Sequence, residues 1–211
     1  MKQASQSLLV LAVALALGLP VSTSAQEKST DPASSGHGLI GENYLGASYV
    51  WYKINDSPVD ATGYDFEANY AFRPNVDFTM TYSWLRTDEF LGVRARLQTV
   101  LFGLRVYSDQ SWGRPYLEAA GGWASADAGG VVSESSTAYR VGAGVEFQPT
   151  AKLTLTPFIN YYDLTSASGS GTFNYGLRGA AWISRHWALT ASVFADDSSD
   201  TTYSVGMNFR F

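Results

Sequence analysis

Apolar and polar residues alternate along most of the chain from about Asn43 to Phe211. In residues 64–72 one parity reads Tyr64, Phe66, Ala68, Tyr70 and Phe72, and the other reads Asp65, Glu67, Asn69 and Ala71. Successive side chains of a strand point to opposite faces, so such a segment has one greasy face and one polar face. Residues 76–84, 139–147 and 205–211 repeat the pattern. The alternation predicts ten strands, at about 43–54, 62–72, 76–86, 95–106, 115–125, 137–148, 152–163, 172–183, 187–195 and 202–211. The first is the least clean, because aromatics occupy both parities. Each runs roughly ten residues, the length a tilted strand needs to cross a bilayer. An eight-stranded arrangement, with one hairpin misread around residues 196–200, is the alternative.

The connections alternate in length as well. Short turns follow segments 2, 6 and 8, at residues 73–75, 149–151 and 184–186. Longer stretches rich in Gly, Ser or Asp, such as 127–136 and 165–171, fall on the opposite phase, while the 4–5 connection near 107–114 is longer than its siblings. Short turns on one rim, longer loops on the other and an even strand number make a transmembrane antiparallel up-and-down β-barrel the expected all-β fold.

A soluble barrel also alternates, but its outer face would carry many charged residues. Here Lys53 and Lys152 are the lysines of the strand region, both near strand ends. The apolar parity is instead stocked with large side chains suited to lipid, and the other with Gly, Ser, Thr, Asn and opposite charges suited to a filled lumen. The six tryptophans fall near the rims: Trp51, Trp84 and Trp123 at the loop side, Trp112, Trp182 and Trp187 at the turn side. Indoles collect at membrane–water interfaces, so these six are the expected girdle, thickened by Tyr49, Tyr82, Tyr161 and Tyr203. Trp182 is its weakest member, because it falls on the polar parity.

Upstream of the alternation the character changes. Lys2 precedes an apolar run at residues 8–19, Pro20 ends it, and Thr23, Ser24 and Ala25 supply small residues for cleavage. The run is too short for a spanning helix and suits a secretory leader, so residues 1–25 are expected to be a signal peptide. Residues 26–41 read as a polar linker, which leaves 42–211 as the barrel domain.

Composition narrows the chemistry further. The chain has 211 residues, a formal net charge of −5 and no cysteine. An acidic chain without clustered Lys and Arg is a poor nucleic-acid ligand. Disulfides and thiolate metal sites are excluded, and no cofactor is expected.

The leader, the strand at residues 142–147 (Gly-Ala-Gly-Val-Glu-Phe) and the terminal alternation ending in phenylalanine resemble the small porin-like outer-membrane β-barrel superfamily, which includes OmpA-type and opacity-type barrels. The resemblance covers nearly the whole chain after the leader and implies a Gram-negative outer-membrane location. It also implies that the stripe Met207, Phe209 and Phe211 is read as a signal by the barrel-assembly machinery. Many members have eight strands, against the ten counted here. No further domain is expected after Phe211, so a peptidoglycan-binding role is not expected to carry over.

Enzymatic activity is not expected. The two histidines are His37 in the linker and His186 in a turn, and neither has a catalytic partner in strand register. Adjacent carboxylates such as Asp88 and Glu89, or Asp196 and Asp197, would face opposite ways in a strand. The informative charges lie on the lumen parity: Asp65, Glu67, Asp77, Glu118 and Glu146 against Arg96, Arg105, Arg140, Arg178 and Arg210. Arg96 and Arg105 are on opposite parities of one segment, so both can face inward only across a bulge. Guanidinium groups suit bidentate carboxylate pairing in a confined space. Two readings follow: the pairs plug the lumen, or they line a narrow path for ions or small solutes.

The loops are acidic, with Asp56, Asp60, Asp88, Glu89, Asp127, Glu134, Asp196, Asp197 and Asp200. They could bridge lipopolysaccharide phosphates through divalent cations, or simply keep the outer rim solvated. The expectation is a monomer whose partners are outer-membrane lipid and lipopolysaccharide, with a structural or surface-exposed role. A pore is one alternative, and adhesion through the loops is the other.

Overall fold

The computed structural model describes residues 38–211 apart from 56, 90–92, 129–131 and 166–170. The expected leader at 1–25, His37 and Asp56 lie outside the described residues. Ten strands are present: β1 (Tyr44–Lys53), β2 (Ala61–Arg73), β3 (Val76–Thr87), β4 (Ala95–Tyr107), β5 (Arg114–Ala128), β6 (Val132–Thr150), β7 (Leu153–Leu164), β8 (Thr172–Trp182), β9 (Trp187–Asp196) and β10 (Thr201–Arg210). Each pairs antiparallel with its sequence neighbours, and β1 pairs with β10 from Tyr44↔Arg210 to Lys53↔Thr201, closing the barrel. Closure pairs the edge strands with each other, which a bilayer demands because lipid offers backbone N–H and C=O groups no partner. The ten-stranded reading therefore holds, including the hairpin at residues 196–200.

The departures from the predicted bounds have a common cause. β5 and β6 reach 15 and 19 residues because their hairpin continues past the rim, where Ala124 to Ala128 pair with Val132 to Ser136. Those positions carry Ser, Glu and Asp on both parities, so the two-face alternation stops where the lipid does. The turn after β2 is tight because Asn75 adopts a left-handed φ of 65°, which Asn tolerates. The 4–5 connection is a small hairpin closed by reciprocal Gln110–Gly113 backbone bonds of 3.0 and 3.2 Å.

The two parities separate cleanly. Outward residues include Leu45, Phe66, Tyr70, Phe78, Leu104, Ile159, Leu177, Leu189 and Val205, all exposed. Inward residues include Tyr44, Asn69, Asp77, Thr79, Glu118, Glu146, Thr154, Ala180, Ala188 and Asn208, all buried. This inversion of the usual arrangement follows from the solvent: lipid rewards apolar surface, and polar groups find their partners inside.

Candidate functional site in the lumen

Mid-barrel, the inward side chains of β4, β5 and β6 converge on one carboxylate. Arg105 and Glu118 are cross-strand partners in register, and Arg105 donates from Nε (3.0 Å) and Nη2 (2.6 Å) to Glu118 Oε2. Arg140 Nη2 donates to Glu118 Oε1 at 2.6 Å. Glu118 is thus held by two guanidiniums through both oxygens, the strong, geometrically specific form of such a bond. Arg105 also lies 5.1 Å from the centre of the Tyr116 ring and approaches Asn69 Oδ1 at 3.4 Å.

A second pair crosses the lumen. Arg178 on β8 donates to Glu67 Oε2 on β2 at 3.0 Å, and Asn208 Nδ2 reaches Glu67 Oε1 at 3.4 Å. Glu67 passes over Gly46 of β1, where a Cβ would come within 2.7 Å of Glu67 Cγ. Glycine at this position leaves the space that the carboxylate arm occupies. Asp65 faces inward one step along the same parity of β2, in register with Ser83 of β3 and Ser48 of β1.

The turn-side mouth is organised differently. Residues 38–43, of which sequence placed 38–41 in the polar linker and 42–43 at the start of the barrel, form a strap in that mouth. Leu39 and Ile40 are only 4% and 3% exposed. Glu146 Oε2 accepts from the backbone N–H of Leu39 (2.8 Å) and Ile40 (3.3 Å), and Asp77 Oδ2 accepts from that of Gly41 (2.9 Å). Arg114 Nη1 donates to the Ile40 carbonyl at 2.7 Å and stands 3.8 Å from Glu146 Oε1. Asn69 Nδ2 donates to the Glu42 carbonyl (2.8 Å), and Asn43 Oδ1 accepts from Ala71 N–H (2.8 Å). Gly41 has φ +78° beneath the Tyr107 hydroxyl, a backbone state and a clearance that favour glycine. Leu39 packs in an apolar cluster with Tyr44, Ala180, Trp182 and Ala188.

Between strap and charge pairs lies a cavity of about 100 Å³, lined by Leu39, Ile40, Glu67, Arg105, Glu118, Arg140 and Arg178 among others. Its walls combine fixed donors and acceptors with two apolar side chains of the strap.

Three assignments made from sequence are corrected. Arg96 is exposed on the outward parity of β4, and no bulge interrupts the pairing of that strand with β3 or β5, so it cannot join Arg105 inside. Trp182 is 4% exposed and belongs to the interior cluster, because its parity on β8 is that of Arg178 and Ala180. Arg210 faces inward but meets no carboxylate among the described residues. Its Nε (3.1 Å) and Nη2 (2.6 Å) donate to the Arg185 carbonyl, and its guanidinium stacks 4.6 Å above the Trp182 ring.

The remaining tryptophans lie outside. Trp51, Trp112, Trp123 and Trp187 are exposed, Trp112 most of all at 62%, and Trp84 stacks on Tyr64 at 6.2 Å. Met207 is exposed on the outward parity of β10 and Phe211, just past the end of that strand, is exposed as well, with Phe209 stacked 6.4 Å from Phe211 and tilted 4.8 Å from Trp187. His186 lies in the β8–β9 turn with Nδ1 2.9 Å from the Arg210 carbonyl. In the loops, Asp200 accepts from Tyr52 Oη (2.5 Å) and Asn55 N–H (2.8 Å), and Asp196 Oδ1 accepts from Ser198 and Asp200 N–H. These two carboxylates are spent on holding loops.

Sequence reasoning missed the strap, Arg114 and Asn208. The pair Leu39–Ile40 followed by Gly41, an apolar step within a polar stretch, was the available signal.

A closed antiparallel barrel with a greasy exterior and a polar, charged interior defines a transmembrane β-barrel of the outer-membrane kind. The chain belongs to the outer membrane protein beta-barrel domain family, which it matches over residues 11–211, and it is a protein of the cell outer membrane. Among solved structures it is similar to Neisserial surface protein A, at 15% identity over 80% of this chain and 97% of that one, with a TM-score of 0.45. It is also similar to Ail, the attachment invasion locus protein of Yersinia pestis (15% identity, 81% and 97% covered, TM-score 0.40). A third is the N-terminal barrel domain of Pseudomonas aeruginosa OprF (12% identity, 81% and 98% covered, TM-score 0.41). No curated protein sequence matches the chain.

Proposed function

We propose that this protein is a structural, surface-exposed outer-membrane barrel whose lumen is plugged. The observation that carries the reading is the strap: Leu39 and Ile40 are buried in the turn-side mouth and anchored to Glu146, Asp77 and Arg114. Behind it, the Arg105–Glu118–Arg140 and Arg178–Glu67 pairs occupy the middle of the lumen. A barrel of this size has an interior that side chains can nearly fill. The reading includes a cleaved leader at residues 1–25 and monomeric insertion among outer-membrane lipid and lipopolysaccharide.

The cavity of about 100 Å³ among the arginines favours a second reading, a narrow path for ions or small solutes. Planar-bilayer recording separates the two. The plug predicts no steady conductance from the native protein; unitary steps that change size in Glu118→Ala would overturn it. The barrel-assembly part of the reading has its own test. Phe211→Ala should lower the fraction inserted in cells while leaving the refolded barrel's stability unchanged, and normal insertion would remove that role from the Met207, Phe209 and Phe211 stripe.

A further inference from the structure

The two ends of the lumen are closed by different kinds of structure. Loopward of the charge pairs the inward residues Val50, Ala61, Leu101, Ala124 and Ala138 are all buried. Tyr162 and Leu164 pack against the cluster that Leu101, Ala124 and Ala138 form with Ala120. One inward step loopward of Arg178, Phe158 and Phe194 flank Gly176 in register, with ring centres 6.0 Å apart. Each of these side chains sits on a strand paired on both sides, so this end opens only if strand ladders break.

The turn end has no such framework. Residues 38–43 belong to no strand, and side chains rather than a ladder hold them: Glu146 and Asp77 accept from their N–H groups, while Arg114 and Asn69 donate to their carbonyls. Releasing them exchanges these bonds for bonds to water and leaves every strand pair in place, the signature of a local opening. Leu39 and Ile40 are themselves walls of the cavity, so release also removes part of its floor. The space behind them is not filled by the charge pairs. Arg140 and Arg178 face inward, yet their side chains are 25% and 37% exposed, against 7% for Glu118. A cavity of about 100 Å³ is several times what one water molecule needs.

We propose that the lumen is a blind pocket that opens to the turn side alone, with residues 38–43 as its lid. Short turns face the periplasm in barrels of this kind, so a solute that meets Arg140 and Arg178 arrives from the periplasm and not from outside the cell. The inference rests on the plugged-lumen reading at the loop end and goes beyond it at the turn end, where the closure is reversible.

The test uses the whole mature chain inserted into vesicles. Because the chain has no cysteine, Thr156→Cys, in register with Arg178 and lining the cavity, is a unique reporter. A small sulfonated, membrane-impermeant methanethiosulfonate is applied from one face of the membrane at a time. Ser111→Cys in the β4–β5 turn and Ser198→Cys between β9 and β10, both exposed positions, report which face it meets. Thr156→Cys in the otherwise native chain should react slowly from both faces. Deleting residues 26–41 should speed the reaction from the turn side by roughly ten- to hundred-fold, as expected for the loss of several hydrogen bonds that hold the lid, and leave the loop side slow. Asp77→Asn/Glu146→Gln keeps the strap but neutralises the carboxylates that hold it, and should give a smaller gain on the same face; it carries the test if the shortened chain does not insert. No gain from the turn side in either variant would overturn the lid. Fast reaction from the loop side in the strap-free barrel alone would overturn the blind end and leave the plugged native lumen standing. Fast reaction from the loop side already in the otherwise native chain would overturn the plug as well.

Discussion

Two buried carboxylates on adjacent strands of one lumen are treated in opposite ways. Glu118, mid-barrel, is held by the guanidiniums of Arg105 and Arg140. Glu146, at the turn-side mouth, spends its hydrogen bonds on the backbone N–H groups of Leu39 and Ile40, with Arg114 at 3.8 Å. Asp77 follows Glu146: it is in register with Arg105, yet its Oδ2 accepts from Gly41. The middle of the barrel is thus a side-chain lattice, fixed by residues on rigid strands. The mouth is a docking cradle for a piece of chain outside the sheet. A lumen carboxylate can satisfy either role, and what decides between them is which donors reach it.

The largest separation between the regions should come from Glu118→Ala. Two guanidiniums would remain in the lumen without their carboxylate, and breaking a buried pair in this way costs about 3–5 kcal/mol. The expected result is a marked fall in the unfolding midpoint, read by the heat-dependent gel shift or by urea titration in detergent. A drop no greater than that of an exposed ion pair, about 0–1 kcal/mol, would mean the lattice is already solvated.

Glu146→Ala should act at a smaller scale and in a different place. Two backbone N–H groups would lose their acceptor, but once the strap moves water can replace it, so each counts only the net contribution of a hydrogen bond, about 0.5–1.5 kcal/mol, while the strand ladders and the Glu118 lattice stay intact. The strap, rather than the barrel, should loosen. Since the chain contains no cysteine, Ile40→Cys provides a unique reporter at a position that is 3% exposed. Thiol labelling at that position should be slow by itself and much faster when Glu146→Ala is added, with the barrel still resisting detergent at room temperature. Unchanged labelling would show that the apolar contacts of Leu39 hold the strap without the carboxylate.

How much of this was legible from sequence follows the same division. The barrel was, because one face of every strand meets lipid and the other does not, and a two-residue period over ten segments leaves little freedom. Residues 65, 67, 105, 118, 140 and 178 could be placed inside by parity alone, and so could Trp182 had parity been weighed above its nearness to the rim. Arg96 fell outside for the same reason. Parity says nothing about which partner a buried carboxylate meets. The Glu67–Arg178 pair joins β2 to β8 across the lumen, and sequence separation gives no hint of that distance. The strap was out of reach in another way: residues 38–43 have no period, and their burial comes from the cradle made by Asn69, Asp77, Arg114 and Glu146 together with the apolar cluster around Trp182.

Arg210 offers the finest test of whether the mouth behaves as one unit. It forks onto the Arg185 carbonyl and lies over Trp182, which shares an apolar cluster with Leu39 of the strap. Arg210→Lys keeps the charge but removes the planar fork and weakens the stacking, a loss of about 0.5–1 kcal/mol. If the strap is held by its hydrogen bonds to Glu146 and Asp77, labelling of Ile40→Cys should scarcely change in this background, and the unfolding midpoint should move only slightly. If labelling instead accelerates as much as it does with Glu146→Ala, the strap depends on how Trp182 is seated beneath it. The cradle would then extend from the carboxylates on β3 and β6 to the closing strand β10.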